Sequence, residues 1–208
     1  MARRTKAEAQ ATRDHLLDTA EHVFLRHGVS RTSLNDIAQA AGVTRGAIYW
    51  HFTDKADLFN AMMERVTLPM EQSVERASDP SLDDPLAQVR RSVVDALRRT
   101  ATEPQVQRVF EIATHKVEYI DELSGVRERH LAVRNTCLSQ VQRCLVRARQ
   151  EGRVTRRMSA RSMAIGLHAL IDGLIQNWML DPRAFDLVQV GKQVLDAYLA
   201  GLAAPAST

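Results

Sequence analysis

The chain has 208 residues, a hydrophobic share of 45% and a formal net charge of +3. That length allows a small domain beside a larger one, and the hydrophobic share supports a real core. No stretch approaches the roughly 20 apolar residues of a membrane span. The basic N-terminus lacks the apolar segment of a secretory signal, so a cytoplasmic location is expected. The mild positive charge is compatible with a nucleic-acid partner without demanding one.

Residues 1–6 hold Arg3, Arg4 and Lys6 and no acidic residue. Such an arm is either a solvated terminus or a basic strand that reaches phosphates or a minor groove. Helical periodicity then predicts a helix from about Ala9 to Arg26, with Leu16, Leu17, Ala20, Val23 and Phe24 inward and Gly28 closing it.

Residues 32–55 are the most informative stretch. Ser33 can cap a helix, with Asp36 three residues on completing a local box, although Asp is a weaker partner there than Glu or Gln. Leu34, Ile37, Ala38 and Ala41 form its apolar face, and Gly42 ends it by taking the left-handed conformation. Val43 plugs the corner. Thr44 caps a second short helix over roughly Arg45 to Phe52, whose inward face is Ala47, Ile48 and Phe52.

The other face of that second helix carries Arg45, Gly46, Tyr49 and Trp50, with His51 beside them. Basic and aromatic groups exposed on so short a helix call for a binding partner. In a helix-turn-helix, the second helix lies in the DNA major groove and its N-terminal residues meet base edges. Arg45 is placed to read a guanine O6/N7 pair. Gly46, without a side chain, lets backbone and DNA approach. Thr44, Tyr49, His51 and Lys55 suit phosphate contacts, which position a helix without reading sequence. With Ser33 and Trp50 these residues make up the expected DNA-binding set. Plain packing for Trp50, a surface aromatic at Tyr49 and a local hydrogen bond at His51 are the competing readings.

A long helix is expected from about Lys55 through Val66 toward Ala77, with Pro69 a kink or break. Leu58, Phe59 and Met62 pack it on the small domain. Ser78-Asp-Pro-Ser-Leu-Asp-Asp-Pro85 is a turn-rich loop. Further helices are expected over about Leu86–Thr100, from Glu103-Pro104 to Thr114, and over Ile120–Gln150, with Gly125 splitting the start of the last. Ser159 caps another to Leu180, and a final helix covers about Ala184 to Leu202. Residues 203–208 read as frayed.

The last two helices are apolar on more than one side. One face can meet a second copy through Ile175, Trp178, Val190, Val194 and Tyr198, giving a four-helix interface with two-fold symmetry. A fully buried central helix in a monomer is the alternative. The middle helices offer an apolar set with sparse polar groups, as small-molecule pockets do. The candidates are Met63, Val66, Met70, Val93, Leu97, Phe110, Ala113, Val141, Leu167 and Ile171, with polar Glu111, His115, Gln140, His168 and Asp172. Most of the apolar ones read equally as ordinary core. Asp172, inside an apolar run, is expected as a buried carboxylate that must be paired or protonated. Glu111 and His115 are spaced for a metal but have no third ligand nearby, so neither metal nor cofactor is expected. Cys137 and Cys144, the only cysteines, share a helix face too far apart for an intrachain bridge and read as buried thiols, with a redox sensor the alternative.

The run Thr32 to Phe52, followed by Asp54-Lys55-Ala-Asp-Leu-Phe59, resembles the N-terminal domain of the TetR/AcrR family of repressors. Met1-Ala-Arg-Arg-Thr-Lys6 and the Thr12-Arg13 to Phe24 helix resemble the AcrR/TtgR-type branch, as do, more weakly, Glu111-Ile112, His115-Lys116 and Asp172-Gly-Leu-Ile175. The resemblance implies an all-α fold of about nine helices. A three-helix DNA-binding domain (1–55, family domain about 10–70) would precede a larger ligand-binding and dimerisation domain (56–208). It also implies a homodimer on a pseudo-palindromic operator, a broad cavity for a small hydrophobic or aromatic effector, and control of a multidrug efflux operon. Alternatives are a metabolic or stress operon with another effector, a helical scaffold that binds no DNA, or a helical enzyme. No Walker loop, Gly-x-Ser-x-Gly elbow or His-Glu-x-x-His motif supports the last.

Overall fold

Helix caps set the element boundaries along this chain. The structure is a computed structural model and describes residues 6–79, 83–118 and 123–204. Among the described residues it has nine helices and no strand: α1 (Lys6–His27), α2 (Leu34–Ala40), α3 (Arg45–His51), α4 (Lys55–Ala77), α5 (Pro85–Thr102), α6 (Pro104–His115), α7 (Ser124–Gln150), α8 (Ala160–Leu180) and α9 (Leu187–Gly201). This is the expected all-α fold. Asp84 caps α5 by accepting from the Ala87 amide at 2.9 Å, with Pro85 in the first turn, where its missing N–H costs nothing. Arg153 and that amide hold the Asp84 carboxyl below the usual carboxylate range, so the cap stays charged at neutral pH. Ser159 caps α8 as anticipated, and Asp186 caps α9, so the last helix starts at Leu187 rather than near Ala184.

α4 continues through Pro69, so no break occurs there. α7 begins at Ser124, which places Gly125 in its first turn. Gly125 offers its carbonyl to Asn60 Nδ2 at 3.3 Å. Ala203 pairs with Val154 in an isolated antiparallel bridge rather than fraying. Arg3 and Arg4 of the basic arm, the middle of the Ser78–Pro85 loop, the Ile120 start of the long helix and the tail from 205 lie outside the described residues.

Contacts gather the helices into two compact units. The first takes the described residues through Val66 together with Arg108–His130, and the second takes Thr67–Gln107 together with the described residues from Leu131 onward. In the first unit Leu16, Leu17, Ala20 and Phe24 of α1, Ile37 of α2, Ile48 of α3 and Leu58, Phe59 and Met62 of α4 are buried. The rings of Phe24 and Phe59 meet at 6.2 Å. Glu21 is buried on the same face of α1, only 1% exposed. It is held by Arg108 Nη2 at 3.2 Å and faces Arg65 Nη1 at 3.8 Å, while Arg65 Nη2 also reaches Asp18 at 2.8 Å.

In the second unit one apolar cluster gathers Val89, Val141, Leu145, Met163, Leu167 and Leu195, and a smaller one gathers Leu97, Trp178 and Leu187. Arg90 clamps Asp196 with two hydrogen bonds of 2.6 and 2.8 Å, joining α5 to α9. Tyr198 Oη donates to the Met163 carbonyl at 2.7 Å, joining α9 to α8. Cys137 and Cys144 are free. Burial pushes both thiols up, which favours the unreactive protonated form and leaves the redox reading without support.

Gly191 of α9 faces Leu97 of α5 so closely that a Cβ there would overlap the Leu97 Cδ1 methyl. Leu97 is fully buried and has nowhere to turn. Gly191→Ala is therefore expected to destabilise the protein by about 1–3 kcal/mol through overpacking, read as a lower urea midpoint at unchanged slope.

Candidate nucleic-acid interface

Short-range hydrogen bonds build the site. Ser33 Oγ accepts from the Asp36 amide at 3.2 Å, and Asp36 Oδ2 accepts from the Ser33 amide at 2.8 Å and from its hydroxyl at 2.7 Å. The expected box at the start of α2 therefore closes even with Asp in the partner position. Its Ser33 amide bond, then the hydroxyl bond, holds the Asp36 carboxyl below its ordinary range. The box is fully formed above the ordinary carboxylate pKa and is lost as pH falls through the depressed one.

At the turn, Gly42 has φ +67°. A Cβ there would meet nothing within 4 Å, so the backbone conformation alone calls for glycine. The Val43 amide donates back to the Ala38 carbonyl at 3.0 Å. The His15 ring lies 3.1 Å from the Ala41 carbonyl, which anchors the turn on α1. Thr44 then caps α3, its Oγ1 accepting from the Ala47 amide at 3.2 Å.

α3 spans seven residues and buries one side chain, Ile48. Phe52, at its C-cap, is buried too and carries the Arg13 guanidinium 5.0 Å above its ring. The opposite face is open: Tyr49 is 47% and Trp50 72% exposed, and Arg45 is exposed. The packing alternative for Trp50 therefore falls. Trp50 meets the half-buried His51 ring edge-on at 4.5 Å. A Cβ at Gly46 would find only Thr44 Oγ1, at 4.0 Å, so the space in front of it is free. Seven of the eight residues expected to meet DNA thus lie along the start of α2 and on α3 with its cap.

Lys55 differs. It is 5% exposed, and its ammonium donates to the Ser30 carbonyl at 3.2 Å. The charge that the sequence offers to a phosphate is spent on the loop before α2. Sequence reading missed two further contributors. Glu21 carries a signal, a carboxylate on the same helical stripe as Leu17, Ala20 and Phe24. The Arg13–Phe52 stack joins residues far apart in the chain and carries none.

Residues 16–62 match the family model for bacterial regulatory proteins of the tetR family, and residues 84–204 match that for the C-terminal region of MAATS-type transcriptional repressors. The chain belongs to the TetR family. It is a helix-turn-helix transcriptional repressor and not an enzyme. It is 38% identical over 206 residues to the transcriptional regulator AcrR of Shigella flexneri, covering 96% of this chain and 94% of that one. Among solved structures it is similar to NalD, the secondary repressor of the MexAB-OprM multidrug efflux pump in Pseudomonas aeruginosa (TM-score 0.87, 38% identity, 95% of this chain and 98% of that one). It is also similar to SmeT in complex with triclosan (TM-score 0.85, 33% identity, 95% and 94%).

In this TetR-family chain the expected effector-binding residues are shared between the two units. Met63, Val66, Phe110, Glu111, Ala113 and His115 belong to the first, and Met70, Val93, Leu97, Val141, Leu167, His168, Ile171 and Asp172 to the second. Leu97, Val141 and Leu167 are buried in the second unit's own clusters. Asp172 is not the buried carboxylate expected. It is exposed and accepts from Gln176 Nε2 at 2.6 Å, one turn along α8. Of the expected dimer contacts, Ile175, Val190, Val194 and Tyr198 are half-buried in the single chain. Trp178 is 6% exposed and packs with Leu97 and Leu187, so its ring is committed to the subunit's own core. Among the described residues no helix is long and apolar enough to cross a membrane.

Lys55→Ala removes the donor to a part-buried carbonyl. The expected outcome is a stability loss of about 1–3 kcal/mol in urea unfolding, with an unchanged salt dependence of non-specific DNA binding.

Proposed function

We propose that this repressor controls a multidrug efflux operon, binds its operator as a homodimer and is released by a small hydrophobic or aromatic ligand. The observation that carries the DNA part is the free face of α3, where Arg45, Tyr49 and Trp50 stand exposed around an unobstructed Gly46. Ser33, Thr44 and His51 flank it. The efflux part is supported by likeness over nearly the whole chain to AcrR and to NalD. The ligand part is supported by the likeness to SmeT bound to triclosan.

In this reading residues 1–55 read DNA, and residues 56–208 take the ligand and a second copy. The operator is pseudo-palindromic, because two identical reading helices related by a two-fold axis meet two identical half-sites, spaced by one helical turn of about 34–36 Å or a multiple of it. Ligand and DNA favour different conformations, so each weakens the other by the same factor. Location in the cytoplasm follows from the work on chromosomal DNA.

Two measurements test this. Arg45→Ala is expected to lose about 1–3 kcal/mol of discrimination at one base pair per half-site, with non-specific binding little changed. Unchanged discrimination at every position overturns the docking of α3. In a thermal-shift screen of planar phenols that includes triclosan, a ligand at about 100 times its Kd stabilises by about 2.7 kcal/mol, a rise of several degrees for a chain of this size. The same compound must release the operator. A panel that neither stabilises the protein nor releases DNA overturns the effector class.

A further inference from the structure

Arg45 opens α3 as its first residue and is exposed. An exposed arginine samples many rotamers, and that freedom is lost when its guanidinium must meet one base. Rigid support in the free protein lowers that cost. Among the described residues Arg45 makes no ion pair and no side-chain hydrogen bond. What its guanidinium does touch is an aromatic face: Cζ lies 5.5 Å from the centroid of the Tyr49 ring.

The two residues are four apart, one helical turn, so they share a face of α3. The Thr44 cap and the burial of Ile48 fix that turn. A cation within about 6 Å of a ring centroid is attracted by the ring's quadrupole. The guanidinium is planar, and its five N–H groups point outward in its own plane. Attraction to a ring occupies no hydrogen-bond acceptor, so it holds the cation without pairing the donors that a guanine O6/N7 pair needs. The phenol hydroxyl plays no part in this. Tyr49 itself is 47% exposed.

We propose that Tyr49 is a positioning residue for base recognition, acting through Arg45 by its aromatic face rather than through its hydroxyl. This goes beyond a phosphate contact from Tyr49, and it rests on the reading that α3 enters the major groove with Arg45 at the base edges. Two roles for the same side chain make opposite demands on its chemistry. A phosphate contact needs the hydroxyl and is indifferent to base sequence. A support for Arg45 needs the ring and acts at one base pair.

The test uses the full-length protein. A preferred operator is selected from a pool of randomised duplexes, and affinities are measured by fluorescence anisotropy for that operator and for every single base-pair change in a half-site. The variants are Arg45→Ala, Tyr49→Phe, Tyr49→Leu and the Arg45→Ala/Tyr49→Leu pair. Each result is the ratio of affinities within one variant, so partial loss of folded protein cancels. Arg45→Ala flattens the preference at one base pair. Tyr49→Phe keeps that preference to within about twofold. Tyr49→Leu reduces it about tenfold at the same base pair and leaves the other positions as they were. The double variant discriminates no worse there than Arg45→Ala alone, because support without a reader has nothing to act on.

Three results overturn the proposal. Tyr49→Leu retains the preference at the Arg45 base pair; Tyr49→Phe loses as much as Tyr49→Leu; or Tyr49→Leu weakens all sequences alike with no change in preference, the mark of a phosphate contact. If Arg45→Ala changes no base preference, the placement of α3 in the groove falls first and the role of Tyr49 with it, a failure distinct from the other three.

Discussion

A helix of seven residues does not hold together in water, because nucleating a turn fixes several residues before the bonds return much. α3 is such a helix, and it buries only Ile48. Its order is imported. The Thr44 hydroxyl takes one of its free N-terminal amides, Ile48 and Phe52 sit in the core of the first unit, and Gly42 sets the angle at which the chain arrives. With one inward side chain and two capping residues assigned to structure, the remaining surface carries no structural duty. That division is what allows Arg45, Gly46, Tyr49 and Trp50 to stand free. A longer helix would hold itself together with more inward positions, and would not need this dependence on α1 and α2.

The frame that receives α3 depends in turn on a buried charge. A carboxylate taken out of water is costly unless it is paired. Glu21 is 1% exposed, and its pairing comes from Arg108 of α6 and Arg65 of α4. Removing one partner from a fully buried pair costs about 3–5 kcal/mol; here the arginines keep roughly a third of their surface in water, so the cost is smaller. The gain over plain apolar packing is direction. Leu16 and Phe24 accept many arrangements of neighbouring helices, whereas one carboxylate between two guanidiniums accepts few. The end of α6 adds a second fixed point, since the Lys116 carbonyl accepts from the Val29 amide at 2.9 Å in the loop before α2. Within the first unit, α6 is therefore tied to both ends of the frame that presents the reading helix.

Most of this was legible in the sequence where the signal is local. Ser33, Gly42, Thr44 and Ser159 act within three residues of their own position, and each does what its side chain or its missing side chain dictates. The exposed face of α3 was legible for the same reason, since two turns leave little choice about which residues face inward. What escaped depends on partners distant in the chain. Lys55 reads as a free cation at a helix start, and nothing near it announces that Ser30 will take its ammonium. Asp172 lies in an apolar run, yet its stripe on α8 also holds Ala169 and Gln176, and that face is exposed. Trp178 reads as surplus because the chain does not show that Leu97 and Leu187 will enclose it. Pro69 reads as a kink or a break because proline lacks an amide, but one missing bond did not end a 23-residue helix.

The arithmetic of recognition explains why so small a reader belongs to a larger chain. One bidentate base contact gives about 1–3 kcal/mol, roughly 5- to 150-fold discrimination. Specific repressors bind their sites about 10³- to 10⁷-fold more tightly than other DNA. A single α3 with one such contact falls short of that range by itself. Two copies on two half-sites multiply their ratios, so the same contact yields about 25-fold at the low end and about 2 × 10⁴-fold at the high end. The second copy squares the ratio, whereas a two-turn helix offers few places for a further reader. Such a multiplication holds only while both reading helices meet their half-sites together. A ligand that spoils their spacing leaves at most one α3 on its half-site, so the product falls back to a single factor of about 5- to 150-fold, and the separation of the two α3 helices is therefore a point at which an effector can act.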